Sequence, residues 1–208
     1  MCSTASTPRW LMTLAPVDSA VGYSVLDNPL TPAYEEWKRA VLSEGFPWWY
    51  AENGTSFHAD ETDENLPLFS HGVLDSPEHR ANLDRFKNGH SAQKPPSSYL
   101  PETWHVVDEI LDYNGFAPRV YYRMAINLTG FSNVKITGSH VDHHFPHQIM
   151  LVYLTDFEGG NTWFDGVRGP TPQSDMALTF NGGDHWHEST TQVDARRIVL
   201  NTSFTEHP

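Results

Sequence analysis

The first half of the chain carries apolar residues at the three- and four-residue spacing that places them on one face of a helix. Thr31-Pro32 has the form of a helix N-cap followed by proline at the first helical position, and Gly45 ends the segment. The apolar residues between these two signals share one face: Tyr34, Trp37 and Val41. The segment is therefore predicted to be a helix that buries one side.

Two further segments have helical patterns. Ser76-Pro77 repeats the start signal, and Asn88-Gly89 has the form of a helix end. A third helix is predicted from Glu102 to Tyr113. Its inner face is expected to hold three residues: Trp104, Val107 and Leu111. Residues 1–30 have no clear period, and we predict an irregular arm with one short strand there.

After Gly115 the pattern changes to short runs of β-branched and aromatic residues, bounded by Gly, Pro, Asn or Asp. Many short strands at close spacing are typical of a sandwich or barrel rather than of alternating βαβ units. The predicted fold is therefore α+β and mainly β: a double-stranded β-helix (a cupin-like jelly roll) with N-terminal helices packed on its major sheet. The predicted strands are residues 119–128, 134–137, 148–155, 162–164, 176–180 and 196–204.

A length of 208 residues predicts one domain, in which residues 1–115 form the arm and supporting helices and residues 116–208 the β-helix core. Hydrophobic residues make up 38% of the chain and aromatic residues 12%, which is enough to fill a core. A disordered chain would be poorer in Trp, Tyr and Phe.

Charge and cysteine content narrow the class of protein. The chain has 26 acidic and 13 basic residues, a formal net charge of −13, whereas surfaces for nucleic acid or anionic membranes need clustered Lys and Arg. Its single cysteine, Cys2, excludes an internal disulfide and favours a reducing compartment. Since the chain also lacks an apolar run of membrane-spanning length, we expect a cytoplasmic location without membrane contact.

The segment Gly138-Ser139-His140-Val141-Asp142 carries the candidate chemistry. Residues two apart in an extended chain point to the same side, so His140 and Asp142 can offer an imidazole and a carboxylate to one metal ion. His187 follows, just after a predicted strand. Two histidines and a carboxylate form the facial triad of non-heme Fe(II) oxygenases, which leaves coordination positions open. Alone, the triplet is more typical of a surface histidine and a turn-capping aspartate.

The residues downstream of Asp142 make the metal interpretation more specific. A strand ending in Tyr153-Leu154 precedes the run from Glu158 to Phe164, and His187-Glu188-Ser189 precedes Arg196-Arg197. In this order and spacing, the chain resembles the Fe(II)/2-oxoglutarate-dependent dioxygenases, specifically their prolyl-4-hydroxylase-like branch, over roughly residues 119–206.

Two further features, both before the metal motif, extend the resemblance to small oxygenases of this type encoded by marine bacteriophages. They are the run Phe46-Pro47-Trp48-Trp49-Tyr50 and the strand from Arg123 to Asn127 that precedes the metal motif. For a phage-encoded protein, the cytoplasm would be that of the host.

The resemblance implies that His140, Asp142 and His187 are the metal ligands and catalytic residues. His185 competes for the distal position. His187 is preferred because it precedes Glu188-Ser189 and lies ten residues before Arg197.

The resemblance also implies that 2-oxoglutarate chelates the iron and that a cation binds its far carboxylate. Arginine suits this role because it makes two parallel hydrogen bonds to a carboxylate. Arg196 and Arg197 must point to opposite faces of a strand. The Arg197 face also holds Asn201 and is the more polar, so we prefer Arg197, with Arg196 as the alternative if the register shifts by one residue.

Several neighbours have a predicted function and a simpler explanation. Tyr153 matches a position whose phenol binds the same carboxylate in the branch, but it also fits an ordinary strand aromatic. Asn201 could donate from its amide to the cosubstrate. Gly159-Gly160 is more typical of a tight turn. Asn127 could face the same pocket. The nearby histidines are expected to lie in a solvated loop: His143, His144 and His147.

The implied reaction is oxidative decarboxylation of 2-oxoglutarate to succinate and CO2 with hydroxylation of a C–H bond, using Fe(II), O2 and, as an optional reductant, ascorbate. The expected substrate is a peptidyl residue, most naturally proline, or a free amino acid. The presence of Asp142 favours hydroxylation over halogenation. Two alternatives remain open here: a nucleic-acid-modifying dioxygenase, disfavoured by the negative charge, and a non-catalytic jelly-roll binding protein.

Overall fold

The computed structural model describes residues 22–51, 68–75, 97–117, 119–132 and 136–206. The predicted helix after Ser76-Pro77 and most of the predicted arm lie outside these residues. The described elements are, in chain order, β1 Tyr23–Leu26, α1 Pro32–Val41, β2 Trp49–Ala51, β3 Leu68–Leu74, α2 Leu100–Tyr113, β4 Arg119–Gly130, β5 Gln148–Tyr153, β6 Thr162–Phe164, β7 Val167–Arg168, β8 Ala177–Asn181, β9 His185–His187 and β10 Arg196–Glu206.

The strands form two antiparallel sheets. The major sheet has the order β1-β8-β5-β10-β4-β3-β2, and the minor sheet has the order β7-β6-β9. Single bridges from Ile136 to Glu188 and from His140 to His185 add the segment before Asp142 to the β9 edge of the minor sheet. This is the predicted jelly roll, so the expected fold class is confirmed.

Both described helices pack on the outer face of the major sheet. Thr31 caps α1 as predicted, because its Oγ1 accepts a hydrogen bond of 3.1 Å from the Tyr34 N–H. The Trp37 indole donates to Thr103 Oγ1 at 2.9 Å and joins α1 to α2. The core under the helices includes Met124 and other residues of β4, β5 and β10. The predicted helical layer is therefore confirmed.

The inner face of α2 differs from the prediction in one residue. The helix begins at Leu100, and its buried residues are Thr103, Val106, Val107, Ile110 and Leu111. Trp104 is 41% exposed and covers the rim of the core, where its ring meets Tyr121 edge-on. A tryptophan at this boundary keeps contact with the core while part of its large ring stays in solvent.

Strand β10 lies between two apolar clusters, and these clusters show which of its residues share a face. Ile198, Leu200 and Phe204 join the cluster under the helices, whereas Val199 joins a second cluster inside the jelly roll. Arg197 shares the inner face with Val199 and is buried, and Arg196 is exposed. The predicted register is therefore confirmed.

Some strands were not predicted. β3 lies between the first two predicted helices, where no strand was predicted. β2, β7 and β9 have three residues or fewer, which is too short for an alternating pattern to be recognised. The predicted strand at residues 134–137 lies largely outside the described residues, with Ile136 present only as a bridge. Within the described ranges, no helix is long and apolar enough to cross a membrane.

Candidate active site

Three histidines converge between the sheets. The possible ligand nitrogens of His140, His185 and His187 all lie within 4.8 Å of one another. Strand β9 places His185 and His187 on the same side, because they are two residues apart. Reciprocal backbone hydrogen bonds of 3.0 Å between His140 and His185 hold the third imidazole beside them. Sequence segments far apart in the chain thus form one cluster of metal-ligand type.

The surroundings of the imidazoles leave ring nitrogens available for a cation. Nδ1 of His140 lies 3.1 Å from the Gly138 carbonyl, and Nδ1 of His185 lies 3.0 Å from the Gly183 carbonyl. A carbonyl can only accept, so in the neutral form of either ring Nδ1 carries the proton and Nε2 keeps its lone pair. Nε2 of His185 is buried without a hydrogen-bond partner. Such an orphaned nitrogen suits a metal ion.

Asp142 lies beside this cluster. Its Oδ2 accepts a hydrogen bond of 3.1 Å from the Asn201 amide and lies 3.5 Å from Nη1 of Arg123. Burial alone would raise the pKa of Asp142, but the guanidinium of Arg123 and the hydrogen bond from Asn201 help to hold it well below its usual range. The carboxylate is therefore ionised at neutral pH, as a metal ligand must be.

The two β9 histidines are neutral at physiological pH. Burial lowers the pKa of His185 to about 4, against the opposing effect of Asp142. Burial and the neighbouring guanidinium of Arg197 hold the pKa of His187 well below its usual range. Neutral imidazoles are the form that binds metals.

Arg197 is a buried cation and is only 4% exposed. Its Nε donates to the Gly160 carbonyl at 3.0 Å, and its Nη2 lies 3.2 Å from Thr162 Oγ1 and 3.4 Å from Nδ1 of His187. Among the described residues, no carboxylate forms an ion pair with it. A buried charge without a counter-ion is costly, so this pocket is suited to an anionic ligand.

Gly159 and Gly160 build the wall of this pocket. Both have positive φ angles, of 73° and 64°, which glycine adopts without strain. A Cβ on Gly160 would lie 2.7 Å from the Phe157 ring and 3.2 Å from Cδ of Arg197. The predicted tight turn is therefore present, and it also brings the Gly160 carbonyl to the arginine.

Thr162 connects the groups of this pocket, although the sequence pattern predicted it only as part of a strand. Its Oγ1 lies 3.0 Å from Nδ1 of His187 and 3.0 Å from the Tyr153 hydroxyl. The Tyr153 ring centroid lies 5.5 Å from Cζ of Arg197. The position of Thr162 in the run from Glu158 to Phe164 was a signal, but its contact with His187 depends on the pairing of β6 with β9.

The remaining predicted residues lie in several places. Asn201 is bound to Asp142 rather than to Arg197, and its Oδ1 is buried without a hydrogen-bond partner. Asn127 faces the interior, where Oδ1 accepts a hydrogen bond of 2.8 Å from Ser70. Arg196 points away from the pocket and is exposed.

The expectation of a solvated loop for the histidines after Asp142 is wrong for two of the three. His143 and His147 are 4% and 6% exposed, and His144 is exposed as predicted. The ring of Phe145 stacks on His143 at 4.9 Å, and His143 meets His147 edge-on. This aromatic packing buries the two rings, which the local polar sequence did not indicate.

Comparison with known proteins shows a shared fold. The chain is similar to a 2OG-Fe(II) oxygenase family oxidoreductase from Burkholderia pseudomallei, with a TM-score of 0.57 and 14% identity over 90% of this chain and 86% of the other. It is also similar to a Trichoplax adhaerens prolyl hydroxylase in complex with a hypoxia inducible factor peptide fragment, with a TM-score of 0.53 and 11% identity over 89% and 84% of the two chains.

A third similar structure is the non-heme α-ketoglutarate-dependent epimerase SnoN of nogalamycin biosynthesis, with a TM-score of 0.52 and 13% identity over 93% and 81% of the two chains. No protein-family model matches the chain, and no curated protein matches its sequence. The jelly roll is thus the fold found in 2-oxoglutarate- and Fe(II)-dependent oxygenases.

Proposed function

We propose that this protein is an Fe(II)- and 2-oxoglutarate-dependent dioxygenase that hydroxylates a C–H bond of a peptidyl residue or a free amino acid, with release of succinate and CO2. The observation that carries the proposal is Arg197, a buried guanidinium without a carboxylate partner among the described residues, next to a histidine of a metal-ligand cluster. One 2-oxoglutarate molecule could bind to both, because it carries a metal-chelating end and a distant carboxylate.

His140, Asp142 and His187 would hold the metal, with His185 as the competing imidazole. When bound, Fe(II) would supply the activation of dioxygen and the oxidative decarboxylation of 2-oxoglutarate. The donor set fits Fe(II), since two imidazoles and a carboxylate form an open site and thiolates, typical of closed zinc sites, are not part of it.

The residues around Arg197 would orient the cosubstrate. The guanidinium would bind the far carboxylate, and the hydroxyls of Thr162 and Tyr153 would donate further hydrogen bonds to it. Val199, on the same face of β10, gives this pocket an apolar wall that excludes water. The Asn201 amide keeps Asp142 oriented and ionised.

The test is succinate formation by purified protein given Fe(II), 2-oxoglutarate, ascorbate and air, with mass spectrometry of added peptides and amino acids for the gain of one oxygen. We expect succinate in the wild type, even without substrate. Asp142→Asn should abolish it, and Arg39→Gln, an exposed change on α1, should not. Absence of succinate in iron-loaded wild-type protein would refute the proposal.

A further inference from the structure

A second arginine, Arg123, lies on the inner face of the major sheet. It is opposite Ser203 in the pairing of β4 with β10, and its neighbours Met124 and Ile126 belong to the outer core under the helices. Its guanidinium lies 3.5 Å from Asp142, and its side chain is 27% exposed. Arg123 is therefore the cation on the open side of the site, whereas Arg197 is enclosed.

The other lysine and arginine side chains that form described ion pairs bind carboxylates other than Asp142. Lys38 pairs with Asp175, Arg119 with Asp108 and Asp112, and Arg168 with Glu188. Arg123 pairs with Asp142, at a distance near the limit for an ion pair, on an oxygen that also accepts from Asn201. A cation held by Asp142 would neutralise part of this carboxylate and leave positive charge on Arg123 for a second anion.

The guanidinium of Arg123 lies next to a candidate metal ligand, since its Nη1 is 3.5 Å from Oδ2 of Asp142. Asn201, which binds Asp142, is opposite Ala125, and Arg123 is two residues further along β4. The backbone of Arg123 is thus about 7 Å along β4 from that of Ala125, and its side chain reaches back to Asp142. An anionic group on Arg123 would thus place carbons only a few bonds away beside the metal site. An α-amino acid meets this requirement, because its side-chain carbons lie only a few bonds from its carboxylate.

The opposite direction along β4 offers a neutral polar group. Asn127 lies four residues from Arg123, about 13 Å along the strand, and on the same face. Ser70 donates to Asn127 Oδ1, so the amide N–H groups are the part of Asn127 that can donate to a ligand. The face therefore presents a charge near one end and an uncharged donor near the other.

We propose that Arg123 binds the free α-carboxylate of the substrate, which is an α-amino acid, either free or at the C-terminus of a peptide. This inference rests on the proposed function and names the substrate class for the same site. The carboxylate would receive two N–H hydrogen bonds from the guanidinium.

The experiment compares acids with their amides. The twenty L-amino acids, a set of tripeptides with free C-termini and the matching carboxamides are tested in two assays. The first is calorimetric binding with Mn(II) in place of Fe(II) and saturating 2-oxoglutarate, so that no turnover is needed. The second is stimulation of succinate release with Fe(II). Free amino acids and peptides form separate arms that distinguish the two sources of the carboxylate.

We expect at least one acid to bind the wild type at least tenfold more tightly than its amide. Arg123→Gln should abolish this preference, Arg123→Lys should retain part of it, and Arg39→Gln should leave it unchanged. A purely structural role of Arg123 would weaken acid and amide equally, which would refute the inference. So would equal binding of acids and amides by the wild type, or binding of neither.

The outcomes separate this inference from the proposed function. Succinate release without any added substrate tests the dioxygenase itself. If succinate forms and the acids have no advantage over the amides, only the role of Arg123 is wrong. If the acids bind with Mn(II) but no succinate forms with Fe(II), the proposed reaction is wrong and the carboxylate site remains.

Discussion

At the scale of single residues, Arg197 is a buried positive charge that no described carboxylate neutralises. Its hydrogen bonds go to a carbonyl, a hydroxyl and an imidazole, and none of these carries the negative charge that would offset burial. Burial accordingly lowers the pKa of this guanidinium, although Tyr153 opposes the shift. The buried charge therefore lowers the stability of the free protein and strengthens the binding of an anionic ligand.

Arg197→Met should therefore separate stability from binding. We expect loss of the charge contact to weaken 2-oxoglutarate binding at least about 30-fold. The same change should raise the unfolding free energy of the free protein by about 1 to 2 kcal/mol, because it removes an uncompensated buried charge. Calorimetry and urea unfolding measure the two effects. Arg196→Met, at the exposed neighbouring position, should change neither, and a loss of binding there instead would mean that Arg196 is the anchor.

The two histidines of β9 can be distinguished by metal affinity. Replacing a group that only supports a ligand typically costs about 10- to 100-fold in affinity, and loss of a ligand costs more. We expect His187→Gln to weaken Co(II) or Fe(II) binding more than about 100-fold and His185→Gln only about 10- to 100-fold. Equilibrium competition with a chelator measures both. The reverse order would assign the third ligand position to His185.

His185 also predicts how acid affects the metal-free protein. Its pKa is about 4 in the folded state, below its ordinary value in an unfolded chain. Below pH of about 6.5 the unfolded chain therefore binds a proton that the folded protein does not, and stability falls with pH; above this value the effect is absent. From pH 7.5 to 5 this histidine should cost about 2 kcal/mol.

Urea unfolding at the two pH values measures this loss. His187 and Asp142, whose pKa values are also lowered, act in the same direction, Asp142 at lower pH. The His185→Gln variant should retain about 2 kcal/mol more of its stability at pH 5, relative to pH 7.5, than the wild type. If the variant and the wild type lose the same unfolding free energy between pH 7.5 and pH 5, His185 is not held neutral by burial.

At the scale of elements, the turn before β6 links backbone conformation to the anion pocket. Gly160→Ala would place a methyl group at a φ of 64° and against both Phe157 and Arg197. Gly166 offers a matched control, since its φ is 84° and a Cβ there meets nothing within 4 Å. We expect Gly166→Ala to cost only backbone strain, about 1 to 3 kcal/mol.

Gly160→Ala should cost more than its control and should also weaken 2-oxoglutarate binding, because Arg197 must move. Thermal unfolding and calorimetry compare the two variants. Equal 2-oxoglutarate affinity in both would show that the position of Arg197 does not depend on this turn.

The elements also show which signals in the sequence are reliable. β10 could be predicted with its register because its apolar and polar residues alternate over a long strand between two environments. β9 could not be predicted, since three residues reading His-Trp-His have no periodicity and are held in the sheet by their neighbours. Trp104 was misplaced because helical spacing alone does not reveal which residues of a stripe reach the edge of the core.

At the scale of the whole molecule, the candidate site is assembled from four segments that only the sheet topology brings together. His140 and Asp142 precede β5, Thr162 is in β6, His187 is in β9 and Arg197 is in β10. The order and spacing of the motifs indicated most of these residues from the sequence alone. They did not indicate the bond from Asn201 to Asp142 or the position of Arg123, because both depend on cross-strand register.

The adjacent strands β4 and β10 divide the two arginines between them, with Arg123 on one and Arg197 on the other. Under the two proposals, changes to the inner side chains of β4 would alter the contact with the substrate, whereas β10 would keep the contact with 2-oxoglutarate. A library of β4 replacements around Arg123 would accordingly be a small set in which to search for new substrate specificities while the proposed 2-oxoglutarate pocket stays unchanged.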